Sequence, residues 1–217
     1  MRRFPRALVT GVIVLGVSAA AATAEADRAN DQQIADNAVL TSDDLPGFEP
    51  HTSADAPLPK APECRELERA RKQLNAAPNK EVDFRTPSEA HDVNNQVSVL
   101  SSTKRSKQTL QAYRSPKAAD CFTTTYRTGI TSKTKDVDVT VDVAPATFEL
   151  GDESVAYDLT VIATKGGRSQ TLHLTLALVR VGRATAAFGL GDESGAVPAD
   201  VSTGLIQLVT QRLQEAL

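Results

Sequence analysis

Apolar and polar residues alternate through the second half of the chain, which predicts β-strands with one wet face. The alternation is clearest at 137–143 and returns at 157–164, 172–178 and 184–190. Around 179–181 it slips, which indicates either a bulge or a strand buried on both faces. Gly166 and Gly167 predict a hairpin turn, and no segment is long enough for a crossover. We therefore expect a four-stranded antiparallel meander.

Helical spacing of apolar residues appears on both sides of this region. It predicts helices at 64–74, at 104–114, after Ser115-Pro116, and from Pro198 onward. Ser is a good N-cap and Pro is favoured at the first helical position, so the third of these has a defined start. The last helix is predicted to turn a common face inward, namely Val201, Leu205, Leu208, Val209 and Leu213.

The remaining pattern completes the fold class. Short strands are predicted at 81–85 and 93–100, and the four prolines between 50 and 62 predict an extended loop. Residues 38–217 are therefore expected to form a single α+β domain, an antiparallel sheet of about six strands with helices packed on it.

The first residues have the pattern of an export signal. Arg2, Arg3 and Arg6 precede an uncharged run at 7–24, and two overlapping small-x-small sites allow cleavage after Ala24 or Ala26. This predicts a secretory signal peptide over 1–24, with an uncleaved anchor as the alternative. Twin-arginine export is disfavoured by the context of the arginine pair. The polar residues 25–37 are predicted to form a flexible leader.

Export would alter both the net charge of the protein and the expected oxidation state of its cysteines. Removing residues 1–24 takes away three arginines and no acidic residue, so the net charge falls from −3 to −6. In an oxidising compartment, the two cysteines, Cys64 and Cys121, are most simply one disulfide. A reactive thiol is the alternative, but no neighbouring residue supplies a lowered pKa. No cysteine lies near the cleavage site to carry a lipid.

Leu-Gly-Asp-Glu-Ser occurs twice, at 150–154 and 190–194, where strands are expected to end. Asp152, Glu153, Asp192 and Glu193 are candidate calcium ligands only if both loops meet at one edge of the sheet. A glycine turn with aspartate bonded to its own backbone explains each copy more simply. We therefore predict no metal and no cofactor.

The sequence contains little that indicates a catalytic site. Ser154 and Ser194 lack a Gly-x-Ser-x-Gly context, and His51, His91 and His173 share no ligand spacing. A hydrolase would need a nucleophile within reach of His91 or His173. We predict that the protein is not an enzyme.

Basic residues cluster at 104–117, namely Lys104, Arg105, Lys107, Arg114 and Lys117. They form either a solvated helix face or an attachment point for an anionic envelope polymer or lipid headgroups. The cluster has no interleaved aromatic residues and the chain is acidic overall, so nucleic acid is not an expected partner.

A resemblance joins these motifs. The Asp44-to-Gly47 turn, the cysteine-bearing helix after Ser115-Pro116, and residues 148–157 and 178–183 together resemble the extracellular sensor domain of mycobacterial PknH-type serine/threonine kinases. Related secreted proteins and lipoproteins of the LpqN type are similar. The resemblance implies a PknH-sensor-like, Mog1/PsbP-like sheet with a ligand cleft and no catalytic residue. This chain departs from it by lacking a kinase domain and a second disulfide.

The resemblance therefore implies a secreted, non-catalytic ligand-binding module of the actinobacterial cell envelope, extracellular or associated with the cell wall. Its partner is expected to be an unidentified small or lipidic ligand or another envelope component. Membrane contact is expected only through the signal peptide before cleavage. The alternative is an envelope interaction or structural protein with no small-molecule site.

Overall fold

One antiparallel sheet of seven strands organises the computed structural model, which describes residues 16–52, 59–88, 90–195 and 197–217, with side chains from residue 25 onward. The strands are β1 Glu49–His51, β2 Asn79–Arg85, β3 His91–Val99, β4 Asp138–Ala146, β5 Glu153–Lys165, β6 Arg168–Val181 and β7 Ala184–Asp192. Their spatial order is β1-β2-β3-β7-β6-β5-β4. The meander of β4 to β7 therefore joins the first three strands through the pairing of β7 with β3.

In the described part of the chain, five helices cover the two faces of the sheet: α1 Gly16–Ala38, α2 Arg65–Ala76, α3 Thr103–Arg114, α4 Lys117–Lys133 and α5 Ala199–Ala216. On one face, α1 and α5 pack on a core that includes Val97, Val179 and Phe188. On the other, α2 and α4 pack on Tyr157 and Leu159. The predicted α+β class is confirmed, with one strand more than expected.

The slip in alternation near residue 179 has a clear cause. Strand β6 pairs without interruption with β5 through Arg180 and with β7 through Val181, so this segment has no bulge. Residues 177–181 are all buried because helices cover both faces of this central strand. A strand buried on both sides needs no polar alternation. The strand that was not expected is β1. It has three residues and contains Pro50, so its pattern of apolar and polar residues is too short to predict a strand.

Residues 25–37, predicted as a flexible leader, belong instead to α1. Ile34, Ala35 and Ala38 are buried in the core, and Asp31 pairs with Arg183. The apolar stripe is short and the ion-pair partner lies 152 positions away, so no local pattern marks this helix as packed. Most of the predicted signal sequence, residues 1–15, lies outside the described residues.

The inner face of α5 differs from the predicted one. Val209 and Leu213 are buried as expected, whereas Val201 is 50% exposed and Ile206 is fully buried. Thr210 is also buried, because its hydroxyl donates to the Ile206 carbonyl oxygen at 2.7 Å. A threonine satisfied within its own helix can face the core, and this rotates the buried stripe away from Val201.

No helix in the described part of the chain is both long enough and apolar enough to cross a membrane.

Candidate functional site

A groove of about 240 Å³ opens on the sheet face that carries α2 and α4. Its floor is the backbone of β7 at Gly189 and Gly191. Its walls come from strands on either side and from α4, and the remaining lining residues are His51, Asp83, Phe84, Arg85, Asp92, Val93, Asn94, Tyr126, Leu174 and Leu176. We call this cavity the β7 groove.

The β7 groove exists because glycines alternate with larger residues along β7. Gly189 lies between Asn94 of β3 and Leu176 of β6 in the register of the sheet. A Cβ at Gly189 would lie 3.7 Å from the Asn94 Cβ and 3.8 Å from the Leu176 Cδ2. Side chains therefore stand on both sides of a bare strip of backbone. Glycine in a strand interior often marks such a close approach of another group.

The two walls of the groove differ in chemistry. On the β6 side stand Leu174 and Leu176, which are half-buried. On the β2–β3 side, Asn94 Nδ2 donates to Asp83 Oδ1 at 2.6 Å, and Arg85 Nε donates to Asp92 Oδ1 at 2.5 Å. An apolar wall facing ordered polar groups suits an amphipathic ligand, because such pockets combine apolar lining with a few orienting polar groups.

Tyr126 lines the groove from α4. Burial raises the pKa of Tyr126 to about 12, so this side chain stays a neutral phenol at any physiological pH. Within the described residues its hydroxyl makes no hydrogen bond. The hydroxyl is therefore available as a donor or acceptor to a molecule in the groove.

The disulfide between Cys64 and Cys121 holds the helix that carries Tyr126. The two Cα atoms lie 4.9 Å apart, and both residues are buried beside Phe122 and Tyr157. Thr124 adds a hydrogen bond to Glu63, at 2.9 Å. The predicted cysteine pair thus ties α4 to the start of α2 and fixes one side of the groove.

The two Asp-Glu pairs do not converge. Asp152 and Glu153 lie at the start of β5, where Arg180 pairs with both. Arg180 is opposite Thr185 near the start of β7, whereas Asp192 ends that strand. The pairs are therefore separated by about 20 Å of strand. Within the described residues no group of three or more histidine, cysteine or carboxylate side chains could hold a metal.

Each copy of the repeat has a structural role. Gly151 has a φ of 65°, and a Cβ there would lie 2.5 Å from the Arg180 carbonyl oxygen, so only glycine fits. In the second copy, Asp192 accepts hydrogen bonds from the backbone N–H and the hydroxyl of Ser194, both at 2.6 Å. Burial opposes ionisation of Asp192, but these hydrogen bonds and His91 hold its pKa below the ordinary value.

Ser194, Asp192 and His91 are close together but in the wrong order for catalysis. His91 Nδ1 lies 3.0 Å from Asp192 Oδ2, and the Ser194 hydroxyl donates to the same carboxylate rather than to the imidazole. A serine nucleophile needs its proton taken by the histidine. Among the hydroxyl groups of the described residues, His173 contacts only that of Thr160, at 3.4 Å, and Ser154 donates to the Phe148 carbonyl oxygen.

The residues of the β7 groove were not predicted individually from the sequence. Only the Gly-Leu-Gly spacing at 189–191, inside a strand pattern, was a local signal. Asp83, Asn94 and Leu176 meet only through the pairing of strands that are far apart in the chain.

Comparison with known proteins identifies a solved structure with a similar fold. No protein-family model matches the chain, and no curated protein is similar to it in sequence. The fold is similar to that in the crystal structure of the extracellular domain of PknH from Mycobacterium tuberculosis, which matches with a TM-score of 0.55 and 10% identity, over 85% of this chain and 96% of that chain. The fold expected from the sequence resemblance is confirmed.

A second solved structure, that of LpqN involved in cell envelope biogenesis of Mycobacterium tuberculosis, matches with a TM-score of 0.28 and 15% identity. That match covers 76% of this chain and 83% of LpqN.

Proposed function

We propose that the protein is an exported, non-catalytic ligand-binding module of the cell envelope, and that the β7 groove is its binding site. The observation that carries the proposal is the groove itself: a glycine floor between a leucine wall and an ordered polar wall, with the Tyr126 hydroxyl unoccupied among the described residues. The ligand is a small amphipathic or lipidic molecule, with its apolar part against Leu174 and Leu176.

The proposed location rests on three features. The basic and apolar start of the chain has the pattern of a signal peptide cleaved after Ala24 or Ala26. The Cys64–Cys121 disulfide suits an oxidising compartment. The fold is shared with a domain described as extracellular. Together these support secretion into the actinobacterial envelope, with a binding domain that includes the packed residues of α1, such as Ile34 and Ala35, and extends to α5.

A non-catalytic role is supported by the arrangement of the histidines. Among the described residues, His91 and His173 have no serine, threonine or cysteine placed to lose a proton to them, apart from the weak contact of Thr160 with His173. The groove contains ordered carboxylates, an arginine and a neutral tyrosine, and these groups orient a ligand rather than attack it.

The decisive experiment places a side chain on the groove floor. Gly189→Val should fit sterically, because its Cβ meets only ordinary van der Waals contacts, yet its methyl groups occupy the groove. Native mass spectrometry of the protein from an actinobacterial host is expected to show a bound small molecule that Gly189→Val loses.

The matched control is Gly204→Val on α5, where a Cβ meets nothing within 4 Å and which lies in the opposite helical layer. It should retain the adduct. An adduct kept equally by both variants, or none in any preparation of the folded wild-type protein, contradicts the assignment of the groove.

The size of the groove supports a second candidate function. About 240 Å³ is below the roughly 300–1,000 Å³ typical of small-molecule pockets. A side chain from another envelope protein could fill such a groove, which makes the domain an interaction module. Cross-linking at Tyr126→Cys would then capture a protein instead of a small molecule.

A further inference from the structure

The two helical layers of the protein carry opposite charge. The segments that contain α2, α3 and the start of α4, residues 62–76 and 103–120, hold nine basic and four acidic residues. The opposite layer, residues 25–38 and 199–216, holds two basic and six acidic residues. An acidic protein thus presents one basic side, and such an asymmetry directs the approach of charged partners.

The basic side is exposed and largely unpaired. We call six of its exposed cations, three on α2 and three at the start of α3, the basic layer: Arg65, Arg69, Lys72, Lys104, Arg105 and Lys107. Lys72 pairs with Glu68 at 2.8 Å, but within the described residues Lys104, Arg105 and Lys107 have no acidic partner. The two helices lie side by side, joined where Thr109 donates to Gln73 Oε1 at 3.3 Å. Their cations therefore belong to one continuous surface.

A second observation lies at one end of this surface. A cavity of about 790 Å³ is lined by the C-terminal end of α2, the first turn of α3 and residues of α1, so it lies where the basic side borders the opposite layer. Four cations from four separate elements line it, against two carboxylates: Arg28, Lys72, Arg105 and Arg183, with Asp27 and Asp31. Asp31 is already paired with Arg183, at 2.7 Å between Oδ2 and Nη1. Since Lys72 is paired with Glu68, Arg28 and Arg105 remain against Asp27, and the cavity keeps an excess of positive charge. The N-terminus of α3 adds to it.

We propose that the basic layer and this cavity bind a phosphate-bearing polyanionic polymer. Phosphate groups along the chain would lie against the exposed lysines and arginines, and one unit would enter the cavity beside Arg105. The inference is independent of the β7 groove and of its ligand.

The surface suits a polymer better than a bilayer. The large hydrophobic side chains that are strongly exposed in the described part of the chain are Val201 and Leu217, and both lie at the α5 layer. The basic layer therefore has no apolar anchor of the kind that seats a protein in a membrane interface. A concave cavity at the end of a basic strip instead matches a chain of repeating charged units.

Titration with poly(glycerol phosphate) tests the proposal on the exported protein. Binding is expected at 50 mM salt and should weaken by about 50-fold at 200 mM, the change for about four phosphate contacts on a single-stranded polyanion. Lys104→Gln combined with Lys107→Gln should reduce the slope of log affinity against log salt by about 0.7 for each lysine. Both side chains are exposed, so the thermal unfolding midpoint should stay unchanged.

The matched control neutralises two exposed cations at the β5–β6 hairpin, Lys165→Gln with Arg168→Gln. It makes the same change in net charge and should leave binding within twofold of wild type. Equal losses in the two pairs, or no binding at 50 mM salt, would overturn the proposal. So would equal affinity for a sulfated polyanion such as dextran sulfate, which is general polyelectrolyte attraction, or binding only to anionic phospholipid vesicles.

Discussion

Ser98 on β3 lies directly opposite Thr185 on β7, and both hydroxyl groups are buried without a hydrogen-bond partner in the described part of the chain. Arg180, the next residue in the same cross-strand row, leaves its Nε unpaired as well. Three buried polar groups without hydrogen-bond partners therefore lie in one cross-strand row. Burying an unsatisfied polar group costs about 1–3 kcal/mol, so this row lowers the free energy of unfolding.

Replacing Thr185 by valine tests that cost. Valine keeps the shape of threonine and removes the unpaired hydroxyl, so Thr185→Val is expected to raise the free energy of unfolding by about 1 kcal/mol. Urea denaturation measures the change. Thr109→Val is the control, because the Thr109 hydroxyl donates to Gln73 and its loss should lower stability by a similar amount. A loss of stability in Thr185→Val would instead indicate an internal water bound by this row.

The ion pair between Asp31 and Arg183 ties α1 to the turn between β6 and β7. Asp31 is buried, and its hydrogen bonds to the guanidinium raise the pKa of Arg183. Asp31→Ala leaves a partly buried arginine without its carboxylate, so we expect the free energy of unfolding to fall by about 1–2 kcal/mol. Asp36→Ala, at an exposed position of the same helix, should change it by less than about 0.5 kcal/mol. Indistinguishable values for the two variants would mean that α1 does not pack in solution.

That helix shows where sequence reasoning succeeds and where it stops. The alternating Val139, Val141 and Val143 predict β4 correctly, because a half-buried strand repeats every two residues. The packing of α1 is not predictable in this way. Only Ile34, Ala35 and Ala38 mark its buried side, and its ion-pair partner is at the far end of the chain.

The candidate site is harder still to predict, since it depends on strand order. Asn94 and Leu176 flank Gly189 only because β7 inserts between β3 and β6. Local patterns identify each strand but not its neighbours, so a groove made by three strands has no local signature. The disulfide could be predicted because the start of the sequence has the pattern of an export signal and two cysteines allow a single intramolecular pairing.

The disulfide itself gives a further prediction. Intact-mass analysis without reductant is expected to show a protein two hydrogen atoms lighter than the reduced form, with Cys64 linked to Cys121. The bond joins residues 57 positions apart, so replacing both cysteines by alanine should lower the free energy of unfolding by about 4 kcal/mol. Two alkylatable thiols in the exported protein would contradict both the bond and the proposed compartment.

The tyrosines make stability fall at high pH. Burial raises the pKa of Tyr126 to about 12, and it also raises the pKa of Tyr113 and Tyr157. An unfolded tyrosine releases its proton near pH 10, whereas the folded protein retains it, so the folded state binds more protons above pH 10. Stability is therefore complete below pH 10 and is lost as the pH rises toward 12, by up to about 1.4 kcal/mol per pH unit for Tyr126 alone.

Tyrosinate absorbance and urea denaturation at several pH values measure this effect, and the chain has no tryptophan to obscure the signal. Tyr126→Phe should make the loss of stability between pH 10 and 12 shallower. It should change stability at pH 8 by less than about 0.5 kcal/mol, since the hydroxyl has no partner within the described residues. A wild-type protein that ionises all three tyrosines at pH 10 while still folded would show that α4 does not bury Tyr126, and the groove would then lack one of its walls.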